Sequence, residues 1–456
     1  MGIPMYQQLY QRIKGEIQSG VLPARTRLLS KRRMAEQLGV SVNTVEGAYG
    51  QLLSEGFIEA RPKSGYYVCE IEDLIGQIPA VRTPPQPAEP VGEPGIRVDF
   101  AITGVDREGF PYSTWRRIAR AVFDECDPQL LARSPFQGEA ALRRAIASYL
   151  SLSRGVHCAP EQIVVGAGTD NLLQILSYIL DNRCTIVMEN PVYHESYLFF
   201  RRMGHPVTPI PIDEKGLPVE PLEALDNAAV YITPSHQFPL GITMPISRRI
   251  QLLNWANKAP GRYVIEDDYD SEFRYNSHPV PAMKSIDTGG RVIYLGSFSR
   301  AIAPALRISY LVLPEALLAD YSEGYAAFGC SVSKLDQLIL TRFIENRHFE
   351  THLNRMRKTY KEKRAQLVGA LREAFGGRIE IQGENAGQHV LVRLTDGTAE
   401  AESVRRAQGA GVRVYPVSPY FMGELPEQYQ GIVLLGYATL TEEEIQEGVA
   451  RLRGAW

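Results

Sequence analysis

The sequence predicts a large α/β domain that follows a small, mainly helical module and a proline-rich linker. From about residue 98 to residue 456, strand-like apolar runs alternate with helical patterns, which is typical of an α/β fold. Residues 1–69 instead contain short helical patterns that end in an aromatic, glycine-containing stretch. Residues 70–97 contain Pro79, Pro84, Pro85, Pro87, Pro90 and Pro94. Because proline neither extends a helix nor joins a sheet, this segment is predicted to be an extended, semi-rigid linker.

Length and composition exclude several classes of protein. At 456 residues the chain is too long for one domain, and 44% apolar with 22% charged residues is ordinary for a protein with a large core. No apolar run approaches the roughly 18 residues of a membrane span, and the N-terminus lacks a signal pattern, so we expect a cytoplasmic protein without membrane contact. The five cysteines are scattered and stand beside no histidine cluster. We therefore expect reduced thiols and no metal site.

The net charge of −3 conceals an asymmetry along the chain. Residues 1–69 contain nine basic and five acidic side chains, which gives +4 and leaves −7 for the remainder. A basic head on an acidic body is typical of a DNA-binding module joined to a domain with another task.

Three helices and a wing are predicted in the N-terminal module. Tyr6–Ser19 carries apolar residues at helical spacing, beginning with Tyr6, and Lys31–Leu38 forms a second helix. Ser41 or Asn43 caps a third helix that ends near residue 54. The short turn between the second and third helices sets one across the other, which is the helix-turn-helix arrangement. Two short strands around residues 63–65 would form the wing.

The segment Leu38–Tyr49, followed by Glu55-Gly56-Phe57-Ile58, resembles the winged helix-turn-helix of the GntR family. The resemblance implies double-stranded operator DNA as a partner. The start of the recognition helix, an arginine that holds a phosphate, and a wing tip near the minor groove would make the contacts. These residues are Arg32 or Arg33, Ser41, Asn43, Thr44, Lys63 and Gly65. Val42 stands where arginine is frequent, so one contact is lost or is replaced by a thymine-methyl contact. The alternative is a helical bundle whose basic residues only solvate its surface.

In the large region, six apolar runs are predicted to be strands. They are Gln162–Val165, Thr185–Met188, Ala229–Thr233, Tyr263–Glu266, Val292–Leu295 and Ile308–Val312. Between the first strand and a predicted helix, Leu172–Leu180, lies the glycine-rich turn Gly166–Asn171. Such a turn offers free backbone amides and the positive end of a helix dipole to a phosphate group. An ordinary strand-to-helix turn accounts for this pattern equally well.

Motifs spread over the large region resemble those of fold-type I aminotransferases. They are Phe136-Gln137-Gly138, Leu142–Leu150, Glu189–Tyr193, Thr233–Gly241 and Glu266–Asp270, in that order. Together with the N-terminal module, the whole chain resembles the MocR-type regulators, which join a GntR head to an aminotransferase-like body. The resemblance implies an aminotransferase-like large body of the fold-type I, pyridoxal phosphate-dependent class, with an N-terminal winged helix-turn-helix domain. It also implies pyridoxal phosphate as a cofactor.

The resemblance assigns a role in cofactor binding to each motif. Tyr193 would stack on the pyridine ring, Asp267 would face the ring nitrogen, and Tyr269 would donate to the ring hydroxyl. Because neighbouring residues of a strand point to opposite faces, Asp267 and Asp268 are alternatives for the nitrogen. Serines and an arginine would complete the phosphate site begun by the glycine-rich turn. The residues implied are Gly168, Thr169, Tyr193, Asp267, Tyr269, Ser297, Ser299, Arg300 and Arg307.

Arg300 departs from the family pattern at a decisive position. The segment Gly296–Arg307 resembles the one that carries the cofactor lysine, but arginine stands at the lysine position. A guanidinium stays protonated and cannot form the covalent link with the cofactor aldehyde, although it can still hold a phosphate or a carboxylate. Arg300 is either natural or an engineered replacement. A third alternative is a misaligned segment with a lysine such as Lys284 in the role, but Lys284 precedes the predicted strand Val292–Leu295, whereas the motif places the reactive residue after it.

The predicted effector pocket differs from that of a working aminotransferase. His236 and Gln237 are expected to line it. Phe238 stands where active aminotransferases have a cofactor-contacting asparagine, and Leu434 lies in a strand that lacks the arginine of the substrate carboxylate. The charge partner of the effector would then come from another basic side chain, such as Arg201, Arg202 or Arg413.

These observations together predict a transcriptional regulator and not an enzyme. It would sense a small amino acid, amine or peptide-like effector, with or without pyridoxal phosphate, and would act as a homodimer on two operator half-sites. The first alternative is an active aminotransferase with a DNA-binding appendage. The second is a DNA-binding scaffold whose body only dimerises.

Overall fold

The computed structural model describes residues 4–62, 64–70, 95–125, 127–275 and 281–456. The chain folds as two compact units, Met1–Gly92 and Glu93–Trp456. Lys63, Cys126 and most of the predicted linker lie outside the described residues. Within the described part of the chain, no helix is both long enough and apolar enough to cross a membrane.

The first unit contains the three predicted helices and the two-stranded wing. Their bounds are α1 (Met5–Gln18), α2 (Lys31–Leu38), α3 (Val42–Ser54), β1 (Ile58–Arg61) and β2 (Gly65–Val68). The side chain of Ser30 caps α2, and Gly39 ends it in a left-handed conformation, which glycine adopts at little cost. Leu9, Tyr49 and Leu52 belong to the buried core of this unit. Tyr6 begins the apolar pattern of α1, but it is 42% exposed at the first turn and lies outside the buried core.

The second unit is an α/β domain, as predicted. Its helices are α4 (Tyr112–Asp124), α5 (Ala140–Arg154), α6 (Thr169–Ile179), α7 (His194–Arg202), α8 (Ile246–Asn257), α9 (Leu318–Tyr325), α10 (Lys334–Glu345), α11 (His348–Phe375), α12 (Glu400–Gly409) and α13 (Glu442–Ala455). Its strands are β3 (Val98–Asp99), β4 (Ile163–Gly166), β5 (Thr185–Asn190), β6 (Val207–Pro211), β7 (Ala228–Ile232), β8 (Arg262–Asp268), β9 (Val292–Ser297), β10 (Ser309–Val312), β11 (Ile379–Gln382), β12 (His389–Leu394), β13 (Val412–Arg413), β14 (Tyr415–Pro416) and β15 (Ile432–Gly436).

A seven-stranded sheet forms the centre of the second unit, in the order β4-β10-β9-β8-β7-β5-β6. Strands β6, β5, β7, β8 and β9 run parallel, and β10 is antiparallel to both β4 and β9. All six predicted strands lie in this sheet. Strand β8 is buried along its whole length, which explains why its sequence reads as a continuous apolar run before the carboxylates.

A smaller antiparallel sheet of order β11-β12-β15-β14 follows toward the C-terminus. The short strand β3 pairs in parallel with β13, and the backbone N–H of Gly436, at the end of β15, donates to the carbonyl of Phe100. The first residues of the second unit are thereby attached to its C-terminal part.

An ion pair joins the end of α5 to the end of β8 in the interior. Arg154 Nε lies 2.7 Å from Asp268 Oδ2, and the two side chains are 4% and 2% exposed. Arg154 also donates to Ser235 Oγ at 2.7 Å. Removal of one partner would leave a buried charge without compensation, which costs about 3–5 kcal/mol.

We therefore expect Arg154→Met to lower the free energy of unfolding of the second unit by about 3–5 kcal/mol. Urea unfolding followed by tryptophan fluorescence reports on this unit, because Trp115, Trp255 and Trp456 all lie in it. Arg183→Met is the control, since Arg183 pairs with Asp181 at the surface (2.9 Å) and such pairs contribute about 1 kcal/mol or less. Equal effects of the two substitutions would contradict the importance of the buried pair.

Candidate ligand site and DNA-binding surface

A cavity of about 220 Å³ lies at the carboxyl ends of the parallel strands β5, β7, β8 and β9. In open α/β sheets, ligands bind at this edge because the loops that follow the strands converge there. The side chains and backbone that line the cavity belong to Thr103, Gly104, Thr169, Asp170, Tyr193, Thr233, Phe238, Asp267, Tyr269, Ser297, Ser299, Arg300, Pro304 and Arg307. The structure therefore brings together every predicted cofactor residue except Gly168, which borders the cavity beside Thr169. Their roles toward a ligand stay predictions.

The glycine-rich turn presents an uncapped helix end to the cavity. Helix α6 begins at Thr169, three residues before the predicted start, because Gly168 with φ of 85° serves as its N-cap and no side chain caps it. Arg307 Nη2 lies 2.8 Å from Asp170 Oδ2 in the first turn of the helix. A Cβ atom at Gly168 would lie 2.7 Å from Arg307 Cζ, so a larger residue here would force the Arg307 guanidinium to move.

Serines from β9 and the following turn complete this end of the cavity. Ser299 donates its backbone N–H to Ser297 Oγ at 3.2 Å, and Ser309 Oγ donates to the same oxygen at 2.9 Å. These bonds orient Ser297 beside the uncapped helix end. The combination of backbone amides, hydroxyls and an arginine is suited to an anion such as a phosphate.

The structure separates Asp267 from Asp268. Asp267 lines the cavity and accepts a hydrogen bond from the Tyr231 hydroxyl, whereas Asp268 faces the opposite side of β8 and pairs with Arg154. Burial raises the pKa of Asp267 to about 7, despite the lowering effect of the Tyr231 hydroxyl. A cationic or protonated ligand group beside Asp267 would favour its ionised form.

Arg300 is held by groups that are distant in sequence. Its Nη1 donates to the carbonyl of Ile102 at 2.8 Å and to Gln388 Oε1 at 3.3 Å. Its guanidinium carbon lies 5.6 Å from the centre of the Tyr269 ring, which is a cation–π arrangement. Lys284, the alternative lysine, does not line the cavity, because its Nζ is bound to Asp287 (3.3 Å) and to the carbonyl of Val292 (2.8 Å).

His236 and Gln237 do not line the cavity, which corrects the expectation that they do. Both are buried, and His236 Nδ1 lies 2.8 Å from Asp270 Oδ2 and 3.0 Å from the Tyr269 hydroxyl. Gln237 Nε2 donates to the carbonyls of Pro191 and Phe238. Because His236 Nδ1 and the side-chain amide of Gln237 are engaged by protein groups, these residues support the cavity wall from behind.

The other basic candidates also lie away from the cavity. Arg201 rests on the Tyr197 ring, Arg202 is exposed on α7, and Arg413 Nη1 lies 3.5 Å from Asp99 Oδ2. Five further residues line the cavity without having been predicted as cofactor contacts, namely Thr103, Gly104, Asp170, Thr233 and Pro304. Thr103 and Gly104 reach the cavity wall from a segment shortly after the predicted linker. The one local feature that marks this segment is the positive φ of Gly104.

In the first unit, the predicted DNA contacts lie on α2, on α3 and at the wing. Arg32 and Arg33 are exposed on α2, and within the described part of the chain neither forms an ion pair. Ser41 Oγ accepts from the Thr44 backbone N–H at 3.2 Å and caps α3, with Asn43 exposed between them. Gly65 begins β2 with φ of 112°.

The Lys63 prediction lies outside the described residues.

Two family models match the chain. Bacterial regulatory proteins of the gntR family match residues 5–68, and aminotransferase class I and II matches residues 110–452.

Relatives at full length are transcriptional regulators by name. The chain is 39% identical to the uncharacterized HTH-type transcriptional regulator YdeL of Bacillus subtilis (strain 168), over 100% of this chain and 97% of that protein. It is 34% identical to the probable rhizopine catabolism regulatory protein MocR of Rhizobium meliloti, over 100% and 94%. The crystal structure of the multiple substrate aminotransferase from Thermococcus profundus superposes with a TM-score of 0.71 and 28% identity, covering 80% of this chain and 92% of that one.

The raised pKa of Asp267 predicts a pH-dependent stability. The folded value, about 7, exceeds the unfolded value of about 3.9, so the stabilising contribution is complete below pH 4 and is lost as the pH rises through 7. Between pH 5 and pH 8 we expect the wild type to lose about 2 kcal/mol more than Asp267→Asn, in urea unfolding without ligand. Parallel pH profiles of the two proteins would contradict a raised pKa at this residue.

Proposed function

The chain belongs to the MocR-type regulators of the GntR family, and from this membership we propose that its aminotransferase-like body senses an amino-acid or amine-like effector together with pyridoxal phosphate. The GntR-type domain binds DNA, as its family does. The observation that carries the proposal is the cavity itself, whose lining combines two serines and Arg307 with the buried Asp267 and with Arg300, at the position where the family resemblance implies a lysine.

The residues present fit pyridoxal phosphate held without a covalent link. The uncapped end of α6, with Thr169, Ser297, Ser299 and Arg307, would hold the phosphate. Asp267 would face the ring nitrogen, and Tyr193 and Tyr269 would contact the ring. When bound, this cofactor supplies an electron-poor ring that stabilises negative charge on an attached amine carbon.

The residues of the same cavity favour ligand sensing over catalysis of an aminotransferase reaction. Arg300 cannot bond to the cofactor aldehyde, and Phe238, which is buried against Tyr193, Tyr269 and Tyr420, occupies the place of a polar cofactor contact. Leu434 is completely buried in β15 and offers no charge to a substrate carboxylate. We therefore propose that the protein is a regulator without aminotransferase activity.

The start of the second unit supports a coupling between the cavity and the linker. Thr103 and Gly104 form part of the cavity wall, and they lie only a few residues after the predicted linker. Arg300 donates to the carbonyl of Ile102 in the same segment. A ligand that binds one arrangement of this segment more tightly than another would shift the population of DNA-binding states.

An exposed apolar patch supports the proposed homodimer. Phe328 and Tyr178 are 63% and 59% exposed. Tyr325 lies between them, with ring centres 5.5 Å from Tyr178 and 6.0 Å from Phe328. Large exposed apolar side chains that cluster in this way mark interaction surfaces.

The phosphate site is tested with a pair of glycine substitutions. Gly168 and Gly204 both have positive φ (85° and 90°), but only Gly168 would place a Cβ against another group, Arg307. We expect Gly168→Ala to weaken binding of pyridoxal phosphate at least tenfold in a fluorescence titration, because Arg307 is displaced. Gly204→Ala carries the same backbone strain and should bind as the wild type does. Equal affinities of all three proteins would refute the assignment of the phosphate site.

DNA binding is tested by its salt dependence. We expect Arg33→Ala to weaken binding to a mixed-sequence duplex and to reduce the slope of log K against log[salt] by about 1, because one phosphate contact is lost. Arg12→Ala is the control, since Arg12 is exposed on α1 and pairs with Glu16 at 3.0 Å. Fluorescence anisotropy between 50 and about 200 mM salt measures both slopes. A slope unchanged by Arg33→Ala would remove Arg33 from the interface.

The dimer surface is tested with a charge. We expect Phe328→Asp to shift the protein from dimer to monomer in sedimentation velocity, because a carboxylate is costly to bury in an apolar interface. Leu152→Asp is the control, since Leu152 is also exposed but lies on α5, which contributes no residue to this cluster. A dimer that survives the first substitution would place the interface elsewhere.

A further inference from the structure

Two arginines line the cavity, and they differ in their charge partners. Arg307 is paired with Asp170 at 2.8 Å. Arg300 has no carboxylate of a described residue within the 4.0 Å of an ion pair, and its hydrogen-bond acceptors are neutral. Asp267 acts on Arg300 from beyond that distance, so among the described residues this half-buried cation has no carboxylate in contact, and the cavity is electrostatically suited to a second anionic group besides a phosphate.

Only one nitrogen of the Arg300 guanidinium donates hydrogen bonds to described residues. Both of its hydrogen bonds leave from Nη1, toward Ile102 and Gln388. Among the described residues, Nε and Nη2 have no hydrogen-bond acceptor. The Tyr269 ring supports the guanidinium from one side at 5.6 Å. Because the bonds of Nη1 fix the orientation of the guanidinium, the N–H groups of Nε and Nη2 remain as parallel donors. A carboxylate is the acceptor that such a pair of donors matches best.

The charge of Arg300 also discriminates between ligands. It repels a free ammonium group and attracts a carboxylate. Since Leu434 supplies no charge at the position where the related enzymes have an arginine, Arg300 is the cavity-lining cation that remains for this group. The phosphate end, at α6 and Arg307, would take the other end of the same ligand.

We propose that Arg300 is a specificity-determining residue that receives the carboxylate of an α-amino acid already joined to a phosphopyridoxyl group. This inference rests on the proposed function and deepens it. The body would recognise the phosphate and the carboxylate of one ligand simultaneously. It would bind this joined ligand more tightly than the same ligand without its carboxylate. The recognition is non-covalent, so no step requires a lysine.

A matched pair of stable ligands tests the proposal by calorimetry on the full chain. N-(5′-phosphopyridoxyl)-L-alanine carries the carboxylate, and N-(5′-phosphopyridoxyl)ethylamine differs only by its absence. Both are secondary amines that cannot react with a lysine, and their small side chain avoids steric exclusion. We expect the wild type to bind the alanine derivative at least tenfold more tightly.

Arg300→Met is expected to abolish this preference and to keep affinity for the ethylamine derivative. Arg300→Lys, which keeps the charge without the fork, should retain part of the preference and provides the test if the methionine variant does not fold. Arg201→Met, which changes an arginine outside the cavity lining, should behave as the wild type does. Equal binding of the two ligands by the wild type, or an undiminished preference in both Arg300 variants, would overturn the proposal.

The outcome is separable from that of the proposed function. If the wild type binds both derivatives equally and its DNA affinity responds to them, the carboxylate assignment fails and the regulator stands. If neither derivative binds, the phosphate site and the role of Arg300 fail together. If the tenfold preference is found but DNA affinity does not respond, ligand recognition stands and the sensing proposal fails.

Discussion

Three consecutive carboxylates at the end of the central strand β8 impose the constraint on which the second unit depends. All three are buried, so each requires its own compensation. Glu266 accepts the backbone N–H groups of Met283 and Lys284, at 2.7 and 2.8 Å. Asp268 pairs with Arg154 at the end of α5. Asp267 is left with the Tyr231 hydroxyl and with the cavity.

This arrangement connects stability with the candidate function. The two outer carboxylates are compensated by the protein and fasten neighbouring elements to β8. The middle one is compensated incompletely, which is why burial raises its pKa to about 7. Strand β8 therefore holds one ionisable group, Asp267, at the edge of the sheet where ligands bind in α/β folds.

Arg300 likewise contributes both to the cavity and to the packing of the surrounding protein. It belongs to the cavity, but its hydrogen bonds reach the segment that follows the linker and the loop before β12. A lysine at this position would have one nitrogen for either a cofactor or the protein. The arginine fork can serve the protein through one nitrogen and a ligand through the others. In the function that we propose, this arginine forms no covalent link to a cofactor and instead connects the cavity wall to the segment that follows β3.

Local sequence patterns determined much of this protein. The three N-terminal helices, the wing, the six strands and the α/β class follow from apolar periodicity and from glycine at helix ends, which are properties of neighbouring residues. The glycine-rich turn is also visible locally. The tertiary structure alone decided that Asp267 and not Asp268 faces the cavity, because strand alternation opposes the two residues but does not say which face is which. It also decided that His236 is buried behind Tyr269, and that Ile102 and Gln388, 198 and 88 residues from Arg300 along the chain, hold its guanidinium. Such contacts depend on how distant segments pack, and no local pattern encodes them.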